Sequence, residues 1–370
     1  MIRRTKTESC LLRTSPSRRA MLLTSSLAFA SGFTRLHPRT NAADDYPDDV
    51  DLALQRAAKS LMTRQAEDGA IADKKSRVAL TSLAMMALAS IGHVPGDPSP
   101  FGEAMRRGID FVLHDRHQDD RGYFGGADNS RMYGHGIITL MLTELIGMAV
   151  GPGQNEVMRT KLEQSLRLIL ASQDVSKPKK ARGGWRYHPD SKDSDLSVSV
   201  WQVMALRSAK NDEMEVPAEA IDKAVAYLLN STTKHHSKDG NWGFSYTPGG
   251  GNPTFAMTAA GLLAMQVCGR YTDPSIEAAS AWLLAHPPKR NERYLFYGLY
   301  YYAQGMYQVG GEAADESQRI TSELLLKTQR RDGLWSGING EERNQGLIYA
   351  TSLAILALSV RYHYLPIYQR

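Results

Sequence analysis

Cysteine is nearly absent from this 370-residue chain: Cys10 and Cys268 are the only two. Cys10 falls in an N-terminal leader, so one thiol remains in the rest. That excludes an intrachain disulfide there and any cysteine-based metal centre. An excess of one charge is missing as well. The whole chain is formally +5, but residues 1–42 hold eight of its 44 Lys and Arg and one of its 39 Asp and Glu. The basic balance belongs to the leader, and the remainder gives no electrostatic case for binding nucleic acid. After residue 42 no apolar run reaches the ~20 residues of a membrane span. Pro248-Gly249-Gly250-Gly251-Asn252-Pro253 is glycine-rich, but no Lys-Ser/Thr follows, so a P-loop is not supported. A chain without disulfides must be held by its apolar core, and about 328 residues are ample for one.

Residues 1–42 read as a targeting segment. Ser17-Arg18-Arg19-Ala20-Met21-Leu22-Leu23 has the form of a twin-arginine signal, and a short apolar stretch, 21–33, follows it. Small residues suit cleavage after Ala30 or Ala42. The expectation is export to the periplasm or cell envelope, with residues 43–370 as one folded domain.

What is present is a repeat. Glycine-rich turns recur at Gln65 to Gly69, Gln118 to Gly126, Gln173 to Trp185, Lys238 to Trp242 and Gln329 to Trp335. Each follows an amphipathic helical pattern. In residues 154–173, Met158, Leu162, Leu166 and Ile169 share one face, while Arg159, Glu163 and Arg167 fall on another. Each turn then leads into a segment apolar nearly all round: 78–91, 137–148, 196–209, 254–268 and 347–360. A helix without a polar face is buried on every side. A fifth pair, 275–286 and 294–309, lacks the turn motif. Six amphipathic and six apolar helices alternate, which predicts an all-α fold, an α6/α6 toroid of six helix-hairpin repeats with an inner ring inside an outer one. An open solenoid is the alternative.

Leu326-Lys327-Thr328-Gln329 with Gly333-Leu334-Trp335 resembles the QW repeat of squalene cyclases, and Gln173…Gly184-Trp185 and Gly240-Asn241-Trp242 are looser copies. Such repeats are shared with the β subunits of protein prenyltransferases. The resemblance covers about residues 47–360 and implies the α/α-toroid superfamily. The whole chain looks most like short exported bacterial proteins with prenyltransferase/squalene oxidase repeats. In squalene–hopene-type cyclases the middle acid of Asp-x-Asp-Asp protonates an alkene. Here Asp193-Ser194-Asp195-Leu196 keeps two of the three acids, with Asp195 in the middle place and Leu196 replacing the last. Prenyltransferases hold zinc through an Asp, a Cys and a late His. Ala350 stands in the place of that His and no Asp-x-Cys occurs, so neither zinc nor any other cofactor is expected. Cys268-Gly269-Arg270-Tyr271 lacks the Gln of a thioester motif.

Asp193 and Asp195 have two readings: caps on exposed helix N–H groups, or acids facing a cavity. Tyr133 and His135 open the second inner helix on the same rim, where His135 could relay a proton to Asp195. Glu144 lies in an otherwise apolar helix and needs a partner, for which an Arg is expected. Six of the 17 tyrosines fall between residues 294 and 307. Tyr297, Tyr300 and Tyr301 share a face, and with Tyr133 and Trp201 they are the expected ligand-cavity lining. His114, His117, His235 and His236 make weak metal candidates. The resulting expectation is a toroid that binds a small lipophilic, isoprenoid-like molecule in its central cavity, as a cyclase-like isomerase if it is catalytic. Two alternatives are a non-catalytic binding or scaffold protein and a sugar-active α6/α6 enzyme. A charged groove would favour sugar, a dry aromatic one isoprenoid, and a filled centre a scaffold.

Overall fold

Apolar periodicity is realised as helices throughout the computed structural model, which describes residues 48–73, 75–148, 152–234 and 241–369. Residues 1–47, which include the expected leader, and His235-His236 lie outside these. The helices are α1 (Asp49–Met62), α2 (Arg77–Ser90), α3 (Pro100–Leu113), α4 (Arg131–Leu145), α5 (Pro152–Asp174), α6 (Leu196–Asn211), α7 (Ala218–Asn230), α8 (Phe255–Val267), α9 (Pro274–Ala285), α10 (Leu295–Val309), α11 (Gly311–Thr328), α12 (Gly340–Arg343) and α13 (Leu347–Leu358). Among the described residues the extended pairing is one isolated antiparallel bridge, Thr232 to Phe244. No described helix is long and apolar enough to cross a membrane.

Composition decides which helices go inside. Every residue of α8, Phe255 to Val267, is buried, including Thr258 and Gln266. In α3 the residues Met105, Ile109 and Val112 are buried while Glu103, Arg107 and Asp110 are exposed. Polar side chains mark the starts. Asp48 and Asp51 form a reciprocal capping box on α1, and Ser99 and Thr254 cap α3 and α8 through the amides of Gly102 and Met257.

The apolar helices close on themselves. α2 packs on α4, α4 on α6, α6 on α8, α8 on α10, α10 on α13, and α13 back on α2. The fold is an α/α toroid, not an open solenoid. The repeated glutamines act alike. Gln65 Nε2 donates to Gly69 O of its own turn and Ala104 O of the following outer helix; Gln118 does so to Gly122 O and Lys161 O, and Gln173 to Gly183 O and Ala220 O. Gln329 completes the circuit, donating to Gly333 O at 2.9 Å and to Ala53 O of α1 at 2.8 Å. Trp185 and Trp335 sit beneath such turns, donating Nε1–H to Ile169 O and Leu325 O. The turn requires glycine at 183: its φ is 88° and a Cβ would stand 2.1 Å from Lys223 O.

The inner helices run parallel. Tyr297, at the start of α10, donates its hydroxyl to Ser197 O at the start of α6. At the other end the Ser359 hydroxyl, just past α13, donates to the Ser90 hydroxyl that ends α2. One end of the ring therefore gathers the inner N-termini and is called the mouth here. The opposite end is closed by the C-terminal segment. Glu144 accepts the Ile367 N–H at 3.2 Å and the Ser208 hydroxyl, and the Tyr368 and Tyr300 hydroxyls bond to each other.

Candidate functional site at the ring mouth

Asp195 is the N-cap of α6. Its Oδ1 accepts the Val198 N–H at 2.9 Å and the Ser197 hydroxyl at 2.6 Å. The residue is fully buried, yet Oδ2 makes no hydrogen bond within the described residues. Arg186 Nε lies 3.6 Å from that oxygen, and Arg186 also pairs with Asp193 at 3.1 Å. Asp193 is largely exposed and belongs to the rim. Burial pushes the Asp195 carboxyl above the ordinary carboxylate range, against the pull of Ser197, the Val198 amide, Arg186 and the Tyr246 hydroxyl.

Tyrosines roof this acid. The Arg186 guanidinium lies over the rings of Tyr187, at 4.9 Å, and Tyr246, at 5.7 Å, and the two hydroxyls bond to each other. Tyr133 joins them from α4. Its ring is 6.0 Å from that of Tyr187, and its hydroxyl bonds to Ser197. Asp195, Ser197, Tyr133 and Tyr297 thus form one connected group.

A second acid, not foreseen from sequence, completes the mouth. Glu342 lies on the short α12 and is 1% exposed. Its Oε1 accepts the Tyr297 N–H at 3.1 Å, so it caps α10 from a distant segment. Its Oε2, like Asp195 Oδ2, makes no hydrogen bond within the described residues. Burial raises its pKa to about 7, opposed by the amides of Tyr297, Phe296 and Leu295. The 45-residue separation from Tyr297 leaves no local signal.

The ring axis is filled. The Trp201 ring stacks on Tyr300 at 5.7 Å and 14° and meets Tyr301 edge-on at 5.8 Å; Tyr297 and Tyr301 are 4.8 Å apart. Trp201, Tyr297, Tyr300 and Tyr301 are all buried. The residues expected to line a cavity pack against one another instead, because large rings from α6 and α10 reach across a narrow ring lumen. The His135 expectation is also corrected. Its Nδ1 accepts the Phe124 N–H at 3.3 Å, which leaves the Nε2–H to donate to Ser165 O at 3.1 Å. Both nitrogens are committed to backbone between α4 and α5, and burial lowers its pKa to about 4. This neutral, fully buried imidazole offers Asp195 no relay.

The class defined by this geometry is the α/α toroid with acids at the mouth of its inner ring. Solved toroids are similar to it over most of its length. The type II terpene cyclase MstE from Scytonema, in its apo form, is 16% identical with a TM-score of 0.54, covering 86% of this chain and 100% of that one. The GH76A alpha-1,6-mannanase from Salegentibacter sp. HEL1_6 is 8% identical with a TM-score of 0.58, covering 86% and 100%. An unsaturated glucuronyl hydrolase specific for heparin is 13% identical with a TM-score of 0.56, covering 85% and 96%. At such identities the likeness establishes the fold alone. No protein-family model and no curated protein matches the chain.

Proposed function

We propose that the chain is a non-cyclising binding toroid that takes an amphipathic, isoprenoid-like ligand on the tyrosine-lined mouth rather than deep in the ring. The filled axis carries this reading. Trp201, Tyr297, Tyr300 and Tyr301 occupy the space that a folded polyprenyl chain would need. Leu196 in place of a third acid and the capping bonds on Asp195 Oδ1 fit a positioning role for Asp195, not that of a strong proton donor. MstE has been solved with geranylgeranyl dihydroxybenzoate. A ligand of that kind, with an apolar tail and a hydroxylated head, suits a mouth where tyrosine rings surround two acids. The arginine pair in the leader supports export, so the encounter would occur in the cell envelope.

One observation favours a saccharide as the second reading. Asp195 and Glu342 are two buried carboxyls at one mouth, the first beside Arg186 and Tyr246 and the second against the amides that open α10. Hydroxyls of a sugar could supply donors to both. Native mass spectrometry of the purified protein, with lipid extraction, followed by calorimetry with farnesol and with mannose oligosaccharides, tests both readings. A co-purifying or titratable isoprenoid, released unchanged, supports the first. Cyclised product from any polyprenyl substrate refutes it, and saccharide binding without isoprenoid binding moves the assignment to the second.

A further inference from the structure

The near-balanced charge past the leader conceals a segregation around the mouth. Two loops that enter inner helices are basic. Residues 175–195, between α5 and α6, hold six Lys and Arg against three Asp, and residues 286–294, between α9 and α10, hold three against one Glu. By contrast residues 114–130, between α3 and α4, hold two Arg against four Asp. Residues 212–217, at the opposite end of the ring, carry Asp212, Glu213 and Glu215 and no cation.

Part of the basic charge is already matched. Arg186 serves Asp193 and Asp195, Arg293 pairs with Glu341, and the Lys177 ammonium is turned inward to the carbonyls of Ser172, Gln173 and Val175. What is left still has one sign. Lys179, Lys180, Arg182, Lys192, Lys289 and Arg290 are exposed and form no ion pair among the described residues; the acids of the same two loops left in that state are Asp190 and Glu292.

This excess is held in place. Lys179–Ala181 form a short 3-10 turn, pinned by the Ser194 hydroxyl on Ala181 O at 2.8 Å and by Asn230 on Lys180 O at 3.4 Å. The glycine-rich turn 248–253 passes beside it. Lys180 Nζ is 3.7 Å from where a Gly249 side chain would begin. Asn339 Nδ2 donates to Asn291 O at 3.0 Å and Glu292 O at 2.6 Å, which ties the second loop to the segment carrying Glu342. Tyr187 and Tyr294 interact electrostatically, so the two loops approach each other at the mouth. Exposed tyrosines stand with the cations: Tyr246 is 36% and Tyr294 37% exposed.

We propose that this half of the rim is a docking surface for an anionic lipid bilayer, with the mouth turned toward the membrane. Several Lys and Arg held at such a surface add their attractions, and tyrosine rings settle at the headgroup level. A soluble polyanion would use the cations and leave the tyrosines idle. The use of docking rests on the ligand reading above, since a molecule with an apolar tail would reach Tyr133 and Tyr187 without crossing water. Docking itself does not depend on that reading.

Co-sedimentation with vesicles free of isoprenoids therefore tests docking alone. Residues 47–370 form a compact unit of their own, so they are assayed without the basic leader, which would itself attract anionic lipid. The protein should bind vesicles of phosphatidylglycerol mixed equally with phosphatidylcholine. It should be released as salt cuts the screening length from about 10 Å at 0.1 M to about 3 Å at 1 M. Lys180→Gln with Lys289→Gln should weaken binding about 25-fold, roughly fivefold per surface charge. Arg159→Gln with Arg167→Gln, the same change on the exposed face of α5, should shift it less than about twofold. Circular dichroism checks that each protein folds. Equal binding to pure phosphatidylcholine overturns the proposal, as does binding to neither vesicle or a rim variant no weaker than the α5 variant. Single-stranded DNA held more tightly than the vesicles moves the surface to nucleic acid and overturns it too. Loss of farnesol binding in the wild type, with docking intact, removes the ligand reading and leaves the docking surface standing.

Discussion

Glu342 offers a quantitative test of the mouth geometry. Its carboxyl titrates at 4.5 in an unstructured chain and at about 7 when folded, because burial disfavours the charge more than the amides of α10 favour it. The raised folded pKa fixes the sign. Between those two values the folded state holds a proton that the unfolded state has lost, so stability falls as pH rises through this window and levels off above it. Each pH unit of the gap is worth ~1.4 kcal/mol, so the ionised carboxylate costs on the order of 3 kcal/mol by pH 8. Glu342→Gln removes the titration and keeps an oxygen for the Tyr297 N–H. Its buried amide adds an unsatisfied donor, at about 1–3 kcal/mol. The variant should therefore be no less stable than wild type at pH 8 and clearly less stable at pH 5. Urea denaturation at pH 5, 6, 7 and 8, followed by circular dichroism, measures both slopes. Tyr294 and Arg293 contact the adjacent Glu341, so Glu341→Gln is the control. Parallel pH profiles for wild type and Glu342→Gln would refute the reasoning.

Three further outcomes follow from the same structure. Asp195→Asn should fold within ~0.5 kcal/mol of wild type because Asn caps about as well, whereas Asp195→Ala should lose ~0.5–2 kcal/mol; a large loss in the Asn variant, by the same denaturation assay, would mean that the charge itself is structural. Trp201→Ala should cost ~3–5 kcal/mol by emptying the packed ring axis, and a loss under ~1 kcal/mol in chemical unfolding would contradict that packing. Gly183→Ala should destabilise by at least ~1–3 kcal/mol through its left-handed turn and the clash with Lys223 O; a thermal midpoint equal to wild type would argue against that turn.

The alternation of helices was legible without coordinates. Period-3.6 patterns such as Met158, Leu162 and Leu166 mark an outer helix, and segments such as 254–268, without a polar face, mark an inner one, because burial acts on local composition. Asp195 as the head of an inner helix was legible too, since capping is a local bond between residues three apart. What only the tertiary structure decided is everything that depends on which helices face each other. Tyr297, Tyr300 and Tyr301 announce an aromatic face, but whether it lines a cavity or fills one depends on Trp201 reaching across from α6. His135 looked free because its partners, Phe124 N and Ser165 O, are main-chain atoms that no side-chain pattern reveals. Glu342 was invisible for the same reason: it caps α10 from 45 residues away, and closure of the ring alone brings that loop over the helix start. Local periodicity encodes which side of a helix is buried; the identity of the atoms that meet there is a property of the closed ring.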